Sequence, residues 1–399
     1  MRRSLWSLLL AGGLLGPAAL AAQDVEPYPW RVSDFPYLMG DPTNGLLIIG
    51  HIQYSRESDY DARWPYDGFL GLEAGWGTRS SRFITGKIRA PNLLKGWRFA
   101  ADAGAVREGR FGYYGQGPEG QSPSADTDAD LGSNFFRVHR TRYFGRVEVT
   151  RPLKGRLSAA AAGGIAYFRY AAFADGDAFR TDFFDAPLTG TDATGRLSLI
   201  LDTRNNEIVP TKGLLLEAGV FAGSGKFESR NVPSGGGAPV ASFSGSGYTG
   251  LYAHLRGFVS PLRSTVLGGR LAIRSLGANA PLDARYQMPG WERDVTVFGG
   301  ADSHRSFVRG RFVGRGVLFS SLEVRHTLID VGDYGAVAVV AFLDAGRAFE
   351  GAARLTTSGW KVGGGGGLAL KVIRAALLTI NFATGPDGFT FSMGNGWAF

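Results

Sequence analysis

Residue types that carry catalysis are present, but their spacing completes no catalytic or nucleotide-binding motif. Residues 223–226 (Gly-Ser-Gly-Lys) resemble part of a phosphate-binding loop, yet Phe227 stands where that loop needs serine or threonine. Residues 363–367 are five glycines that do not complete a dinucleotide-binding turn, and no helical pattern follows them. The five histidines are dispersed, and no two are spaced four residues apart as in a zinc-hydrolase helix. We therefore expect no enzyme, cofactor or metal; a Ser/His/Asp site assembled from separate strands is the alternative left open.

Charge and composition exclude several other classes of protein. The net charge is +8, but the basic residues are scattered rather than gathered into a patch, which argues against nucleic-acid binding. The absence of cysteine excludes disulfides, thiolate metal sites and a lipoprotein anchor. After residue 22 there is no apolar run of the length that a membrane-spanning helix needs.

The elements that must position any functional residue are β-strands. Segments of about ten residues alternate between apolar and polar side chains, and successive side chains of a strand point to opposite faces. In the clearest example the apolar face carries Leu46, Ile48, Ile52 and Tyr54, and the polar face carries His51, Gln53 and Ser55. An apolar outside and a polar inside are typical of a transmembrane β-barrel, whereas a soluble β-sandwich would exchange the faces.

Sixteen such segments are predicted, which makes the chain an all-β, 16-stranded antiparallel transmembrane barrel. From the fifth strand onward, long glycine-, serine- and aspartate-rich links alternate with short ones, as extracellular loops alternate with periplasmic turns in outer-membrane barrels. The first strand, 31–40, is the weakest because Pro36 removes a ladder hydrogen bond. The predicted strands are 31–40, 45–56, 67–77, 81–90, 96–107, 136–150, 156–171, 193–204, 213–223, 246–260, 264–276, 316–328, 335–346, 360–372, 374–384 and 388–399.

The N-terminal residues predict export. A short basic start is followed by an apolar stretch and by the small residues of 19–21, the layout of a cleavable signal peptide. We therefore divide the chain into a signal peptide (1–21), a short periplasmic segment (22–30) and the barrel (31–399). The expected location is the outer membrane of a Gram-negative bacterium, with outer-membrane lipid as a partner.

The final strand carries a second export signal. Residues 392–399 fit the pattern polar-x-Gly-x-x-aromatic-x-aromatic, with Gly394, Trp397 and Phe399 at its defining positions. This resembles the β-signal by which outer-membrane barrels are recognised, so the barrel assembly machinery is an expected partner. Strict alternation would place one set of side chains on a single face: Phe389, Phe391, Met393, Trp397 and Phe399.

Several motifs follow one another along the chain. A glycine pair is followed by an Arg-x-aromatic segment, Arg-Phe and Glu-x-Arg, which comprise Gly299, Gly300, Arg305, Ser306, Phe307, Arg311, Phe312, Glu323 and Arg325. A D-x-R…P-x-x-G segment consists of Asp202, Arg204, Pro210 and Gly213, residues 342–346 contain D-x-G, and residues 114–117 read Y-G-x-G. Taken in this order, the motifs resemble the loop signature, periplasmic turn and strands of the bacterial surface antigen family of BamA/TamA-like outer-membrane assembly barrels.

The resemblance implies that a long extracellular loop folds back into the barrel. Arg305 would be the loop arginine, and Glu323 and Asp344 on the inner wall would be its acceptors. Both acids also fall on polar faces of neighbouring predicted strands, where a buried charge needs a partner. The alternative is that all three side chains face lumen water.

The sequence departs from the family in two places. Ser306 stands where the family has glycine, which costs roughly 1 kcal/mol or more if the turn requires a positive φ. Residues 308–310 (Val-Arg-Gly) offer a second register with a true Arg-Gly pair. We also expect no periplasmic POTRA domains of the kind that usually precede the barrel, since only residues 22–30 separate the predicted cleavage site from the first strand.

The resemblance implies assembly, insertion or translocation of outer-membrane components through a lateral seam between the first and last strands. The alternatives are a non-enzymatic pore or lipid-export conduit, which the missing domains favour, and a barrel whose loops bind an external partner. Periplasmic or lipoprotein partners are further candidates that the sequence cannot name.

Overall fold

The computed structural model describes residues 28–59, 62–115, 134–173, 178–183, 188–231, 240–291, 298–332, 334–356, 358–372 and 376–399. The predicted signal peptide (1–21), most of the short segment after it and residues 116–117 of the Y-G-x-G segment lie outside these ranges. The described residues form one sheet of sixteen antiparallel strands in sequence order, which curls into a nearly closed barrel. The predicted 16-stranded barrel is thus confirmed.

The first eight strands run from the start of the barrel to residue 202. They are β1 (Arg31–Asp41), β2 (Gly45–Glu57), β3 (Tyr66–Gly77), β4 (Arg82–Leu94), β5 (Trp97–Gly112), β6 (Arg137–Lys154), β7 (Leu157–Ala172) and β8 (Leu188–Asp202). The second eight are β9 (Gly213–Asn231), β10 (Val240–Leu262), β11 (Thr265–Leu276), β12 (Gly316–Asp330), β13 (Gly335–Phe349), β14 (Lys361–Val372), β15 (Ala376–Gly385) and β16 (Gly388–Asn395). Two short helices lie in the connections: α1 (Ala178–Phe183) and α2 (Leu282–Arg285). No helix among the described residues is long and apolar enough to cross a membrane.

The predicted faces of the strands are confirmed. Leu46, Ile48, Ile52 and Tyr54 are all more than 40% exposed on the outer face of β2. Gln53 and Ser55 are buried on its inner face. The outer face is therefore a band of exposed apolar side chains, and the lumen holds the polar ones, as a barrel in lipid requires.

The two ends of the barrel differ in their connections. We call the end at which β1 begins the turn end; it carries the links 58–65, 95–96, 155–156, 203–212, 263–264, 331–334 and 373–375. The opposite end, the loop end, carries the longest links, 113–136 and 277–315. Residues 223–226 lie within β9 and residues 363–367 within β14, so neither glycine run precedes a helix.

Several strand boundaries were predicted wrongly. β8 begins at Leu188 rather than residue 193, β9 continues to Asn231, and β10 begins at Val240. The ladder between β9 and β10 persists through Gly- and Ser-rich sequence without apolar alternation, because it needs only backbone donors and acceptors. The last strand ends at Asn395 rather than residue 399.

Candidate functional site in the lumen and at the seam

The link between β11 and β12, residues 277–315, folds into the lumen. Its described parts, 277–291 and 298–315, bury Asp283, Arg305 and Phe307 to 3% exposure or less. These side chains contact the inner faces of strands on both sides of the barrel. The link therefore forms a plug, which we call the lumen loop.

Arg305 anchors the second half of the lumen loop to β12 and β13. Its Nε and Nη2 donate to the two carboxylate oxygens of Asp344 at 2.9 and 2.8 Å, and its backbone N–H also donates to Asp344 at 2.9 Å. Its Nη1 donates to Glu323. The guanidinium lies 3.6 Å from the centre of the Phe342 ring. The contact with Asp344 has the bidentate geometry in which a guanidinium binds a carboxylate most strongly.

The charges at this contact are buried but balanced. Burial alone would lower the pKa of Arg305, but the carboxylates of Asp344 and Glu323 raise it above its ordinary value, so the guanidinium stays charged. Glu323 also accepts from Arg325 Nε at 2.8 Å. Two arginines thus face two carboxylates in the lumen wall.

The remaining loop-motif residues shape the turn that presents Arg305. Gly299 and Gly300 have φ values of 98° and 94°, a region that favours glycine. The N–H of Gly300 donates to the carbonyl of Phe307 at 2.9 Å, which closes the turn. The Phe312 ring packs 4.8 Å from that of Phe307. Arg311 pairs with Asp387 in the connection between β15 and β16.

Ser306 does not need a left-handed backbone here, since Ser80 is the one described non-glycine residue with positive φ. It needs space instead. A Cβ added at Gly363 would lie 2.2 Å from Ser306 Oγ, and one at Gly385 would lie 2.9 Å from Ser306 Cβ. Gly363 of β14 and Gly385 of β15 therefore leave the space that the Ser306 side chain occupies. We call these two glycines the seat of Ser306.

The second possible register, residues 308–310, occupies a different place. Arg309 Nε lies 2.9 Å from Glu108 of β5, and its side chain is 36% exposed. Gly310 has a φ of 77° and packs against the Phe111 ring. Arg305, rather than Arg309, therefore meets Glu323 and Asp344.

The first half of the lumen loop has an anchor that sequence reasoning missed. Asp283 of α2 accepts from Arg140 Nη2 at 2.9 Å and from the Tyr170 hydroxyl at 2.7 Å, and Arg142 Nε lies 3.0 Å from it. Burial raises the pKa of Asp283, but Arg142 and Arg140 outweigh burial and hold it below its ordinary value. The arginine-rich inner face of β6 was the available signal, because it carries more cations than its own strand can pair.

Beyond Asp283 the loop reaches the turn end. The Trp291 N–H donates to Glu217 of β9 at 2.8 Å, and its indole donates to Thr150 of β6 at 3.0 Å. Arg98 lies 4.9 Å from the indole centre and binds both carboxylate oxygens of Glu207 at 2.9 Å. Arg98 of β5 thus connects the lumen loop, which starts at the loop end, to the turn-end link 203–212.

Acidification is expected to weaken the Asp283 anchor. A carboxylate whose pKa is lower in the folded state stabilises the fold at pH values above its ordinary pKa, which is 3.8 for aspartate. This stabilisation is lost as the pH falls from 3.8 through the lower folded-state pKa. Asp283→Asn should lower the free energy of unfolding by about 1 kcal/mol at neutral pH. Urea unfolding in detergent between pH 3 and 7 should therefore give a shallower pH profile for Asp283→Asn. Identical profiles would contradict the assignment.

The turn-end link 203–212 and the strand residues on either side of it carry the D-x-R…P-x-x-G motif. Arg204 Nε and Nη2 donate to the two carboxylate oxygens of Asp202, each at 3.0 Å. Pro210 is buried, and Gly213 has a φ of 99°, with Thr203 O so near that an added Cβ would lie 2.4 Å from it. The motif thus builds a rigid turn.

The seam between β1 and β16 is the weakest part of the wall. No hydrogen-bonded register joins these strands among the described residues, although every other neighbouring pair has one. Residues 31–36 of β1 are exposed on both faces, whereas Gly40 is buried beside the Phe391 ring. Tyr37 donates to Glu73 of β3 at 3.0 Å, which ties β1 inward. On the lumen side of the seam lies a cavity of about 420 Å³, which is lined by both seam strands and by Arg305.

The residues after β16 turn inward, which corrects the predicted single face. Phe389 is 72% exposed, but Trp397 and Phe399 are 9% and 4% exposed. Gly396, with a φ of 93°, breaks the strand, so the alternation that placed these aromatics together ends at Asn395. We call residues 396–399 the tail.

Two inner-wall arginines hold the tail against the lumen loop. Arg325, which pairs with Glu323, lies 4.1 Å from the Trp397 ring centre and donates to Phe399 O at 3.2 Å. Arg270 donates to Ala398 O at 2.9 Å and to the loop carbonyls of Asp302 and Ser303 at 2.8 Å. The tail of a seam strand and the loop arginine therefore belong to one contact network. Among the described residues, no three His, Asp or Glu side chains are grouped as a metal site would need.

Comparisons with known proteins identify solved structures with a similar fold. BamA from Haemophilus ducreyi, in a form lacking POTRA domains 1–3, matches with a TM-score of 0.53 and 12% identity over 92% of this chain and 70% of that one. CdiB from Escherichia coli matches with a TM-score of 0.53 and 11% identity over 92% of this chain and 62% of that one. Neither a family model nor a curated protein matched the sequence. At these identities the comparison concerns the fold alone, which is that of the BamA-like 16-stranded barrels.

Proposed function

We propose that this barrel lies in a bacterial outer membrane and assists assembly, insertion or translocation of outer-membrane components through the seam between β1 and β16. The location is supported by the exposed apolar band and by the shared fold with outer-membrane barrels. The observation that carries the role is the seam, because β1 and β16 lack a common ladder.

The chemistry of the seam suits strand templating. A strand edge without a partner presents unpaired N–H and C=O groups, onto which an incoming extended segment can add as a further strand. Exposure of residues 31–36 on both faces leaves room for such a segment at the turn end. The cavity behind the seam would receive polar side chains of the segment, and the lipid outside would receive apolar ones.

The lumen loop would control how far the seam opens. Arg325 and Arg270 connect the loop to the tail after β16, and Arg311 connects it to Asp387 beside β16. While Arg305 remains bound to Asp344, these contacts hold β16 against the inner wall. Movement of the loop would free the last strand.

A second candidate is a pore or lipid-export conduit. It is supported by the polar cavity of about 420 Å³, which lies directly behind the seam and is lined by charged residues such as Lys87 and Arg309. In this case the seam would admit a lipid headgroup rather than a strand. External-partner binding by the loops has no comparable observation in its favour.

Locking the seam is expected to abolish assembly. Gly40 lies beside the Phe391 ring across the seam, so cysteines at these two positions can be bridged by a bis-maleimide with a disulfide in its spacer, in a chain without native cysteine. In proteoliposomes the bridged variant should insert an unfolded barrel client at least tenfold more slowly, and reduction of the spacer should restore the rate. The matched control pairs Ile48→Cys with Trp76→Cys across the closed β2–β3 ladder and should be unaffected. Unimpaired insertion by the locked barrel would reject the assembly role, and lipid transport that lock and reduction switch off and on would favour the conduit.

A further inference from the structure

Three arginines form a row on the outer face of the barrel near the loop end. Arg82 of β4 pairs in register with Arg107 of β5, which pairs with Thr141 of β6, which pairs with Arg169 of β7. Residues directly paired in neighbouring strands share one face. With strands about 4.8 Å apart, the row spans roughly 14 Å. We call these four residues the arginine row.

Within the part of the chain that the structure describes, the charges of the row have no counterion. Among the described residues, none of the three arginines makes an ion pair, and Arg82 only approaches the Trp76 ring, at 6.0 Å from its centre. Arg107 Nε is shielded from solvent without a hydrogen-bond partner. Like charges placed opposite each other destabilise a sheet, so Arg82 and Arg107 together favour an added anion.

The row lies where the lipid-facing band ends. The row of paired outer residues next to it, toward the turn end, contains Tyr143 and Tyr167, 53% and 39% exposed, with ring centres 6.0 Å apart. Such aromatic side chains mark the level of lipid headgroups. A groove of about 670 Å³ is lined by the arginine row together with Trp76 and these tyrosines. The cations therefore stand at headgroup depth.

A second groove lies closer to the middle of the wall, on the same four strands as the arginine row. It has a volume of about 560 Å³ and is lined on the outer face by Gly86, Ala103, Gly145 and Gly163. On the outer face of β5, Ala105 lies between Arg107 and Ala103. Ala105 lines the first groove, which contains the arginine row, and Ala103 lines the second. Flanking Ile88 and Ile165 make the lower groove apolar. Together the two grooves match an amphiphile with an anionic head and acyl chains.

We propose that this surface binds a lipid with a phosphate headgroup, from the leaflet at the loop end of the barrel. Guanidinium groups bind phosphate oxygens through paired, charge-assisted hydrogen bonds. Free phosphate would leave the apolar groove unfilled, and a protein partner would have to displace lipid from the whole band. The proposal rests on the membrane location proposed above but not on the assembly role, so the two can fail separately.

The test is native mass spectrometry of the whole barrel in detergent with dioleoyl phosphatidic acid as the probe. Arg107→Gln with Arg169→Gln should weaken its binding about thirtyfold, from the contribution of each arginine near an anionic headgroup. The matched control is Arg151→Gln, an exposed arginine at the turn end, which should bind as the wild type does. Ala103→Leu, which fills the groove, should weaken dioleoyl but not dihexanoyl phosphatidic acid. Heat-dependent gel mobility would verify that each variant is folded.

Uncharged dioleoyl glycerol should bind far more weakly than phosphatidic acid. Equal binding of the two lipids, or equal loss in Arg151→Gln and in the double variant, would overturn the proposal. Displacement by an equal concentration of inorganic phosphate would also overturn it, because the arginines would then bind phosphate without the lipid.

Discussion

Replacing Asp344 with alanine is expected to lower the free energy of unfolding of the barrel by about 3–5 kcal/mol, the cost of leaving a buried charge without its partner. Arg305 is 3% exposed, and Asp344 receives three of its hydrogen bonds. Urea unfolding in detergent micelles gives the stability, and proteolysis within 277–315 reports loop release.

Two further variants decide what the ion pair contributes. Arg305→Met with Asp344→Leu removes both charges and should recover most of the lost stability, since an apolar pair of similar volume is often as stable as a buried ion pair. Glu350→Ala removes an exposed acid near the end of β13 and should change stability by less than about 0.5 kcal/mol. If Asp344→Ala were as stable as Glu350→Ala, the proposed anchoring role of Arg305 would be wrong.

Gly363→Ala is expected to displace the lumen loop without touching any charge. The added Cβ would lie 2.2 Å from Ser306 Oγ and 2.8 Å from Thr384 O, so Ser306 must move away from β14. Because Arg305 precedes Ser306, its contact with Asp344 would be strained. We expect a loss of about 2–3 kcal/mol, in the upper part of the range for overpacked sites.

A second-site change tests this explanation. Ser306→Gly removes the atoms that clash, so adding it to Gly363→Ala should restore the larger part of the stability. Gly257→Ala is the matched control, since a Cβ there meets nothing within 4 Å. A double variant no more stable than Gly363→Ala alone would show that the loss of stability does not come from the clash with Ser306. The contact of the added Cβ with Thr384 O would then be its expected source.

The architecture was predictable because it depends on local alternation. In β2, the same side chains that alternate in sequence are those that separate into lipid and lumen faces, for example Ile52 outside and Gln53 inside. The seat of Ser306 was not predictable, because Gly363 and Gly385 are distant in sequence and only the curved sheet brings them beside the loop.

Two errors show where alternation fails. At Gly396 a single positive φ reverses the expected side of Trp397, and a glycine gives no sequence sign of which conformation it takes. The Asp283 anchor was missed because its partners, Arg140 and Tyr170, come from strands more than a hundred residues earlier. An excess of lumen-facing arginines on β6 predicts that an acidic residue from elsewhere in the chain pairs with them, but it does not identify that residue.

The two anchors of the lumen loop also impose an order of events. Arg305 needs β12 and β13, which follow the loop directly, whereas Asp283 needs β6 and β7, more than a hundred residues earlier, so the Asp283 end can settle only after the sheet has curved enough to bring those strands to the loop. Contacts between such distant parts of the chain form late in folding. A newly folded barrel should therefore pass through a stage in which the lumen is only partly plugged and holds water, and the time for which it leaks is set by how quickly Asp283 reaches Arg140 and Arg142.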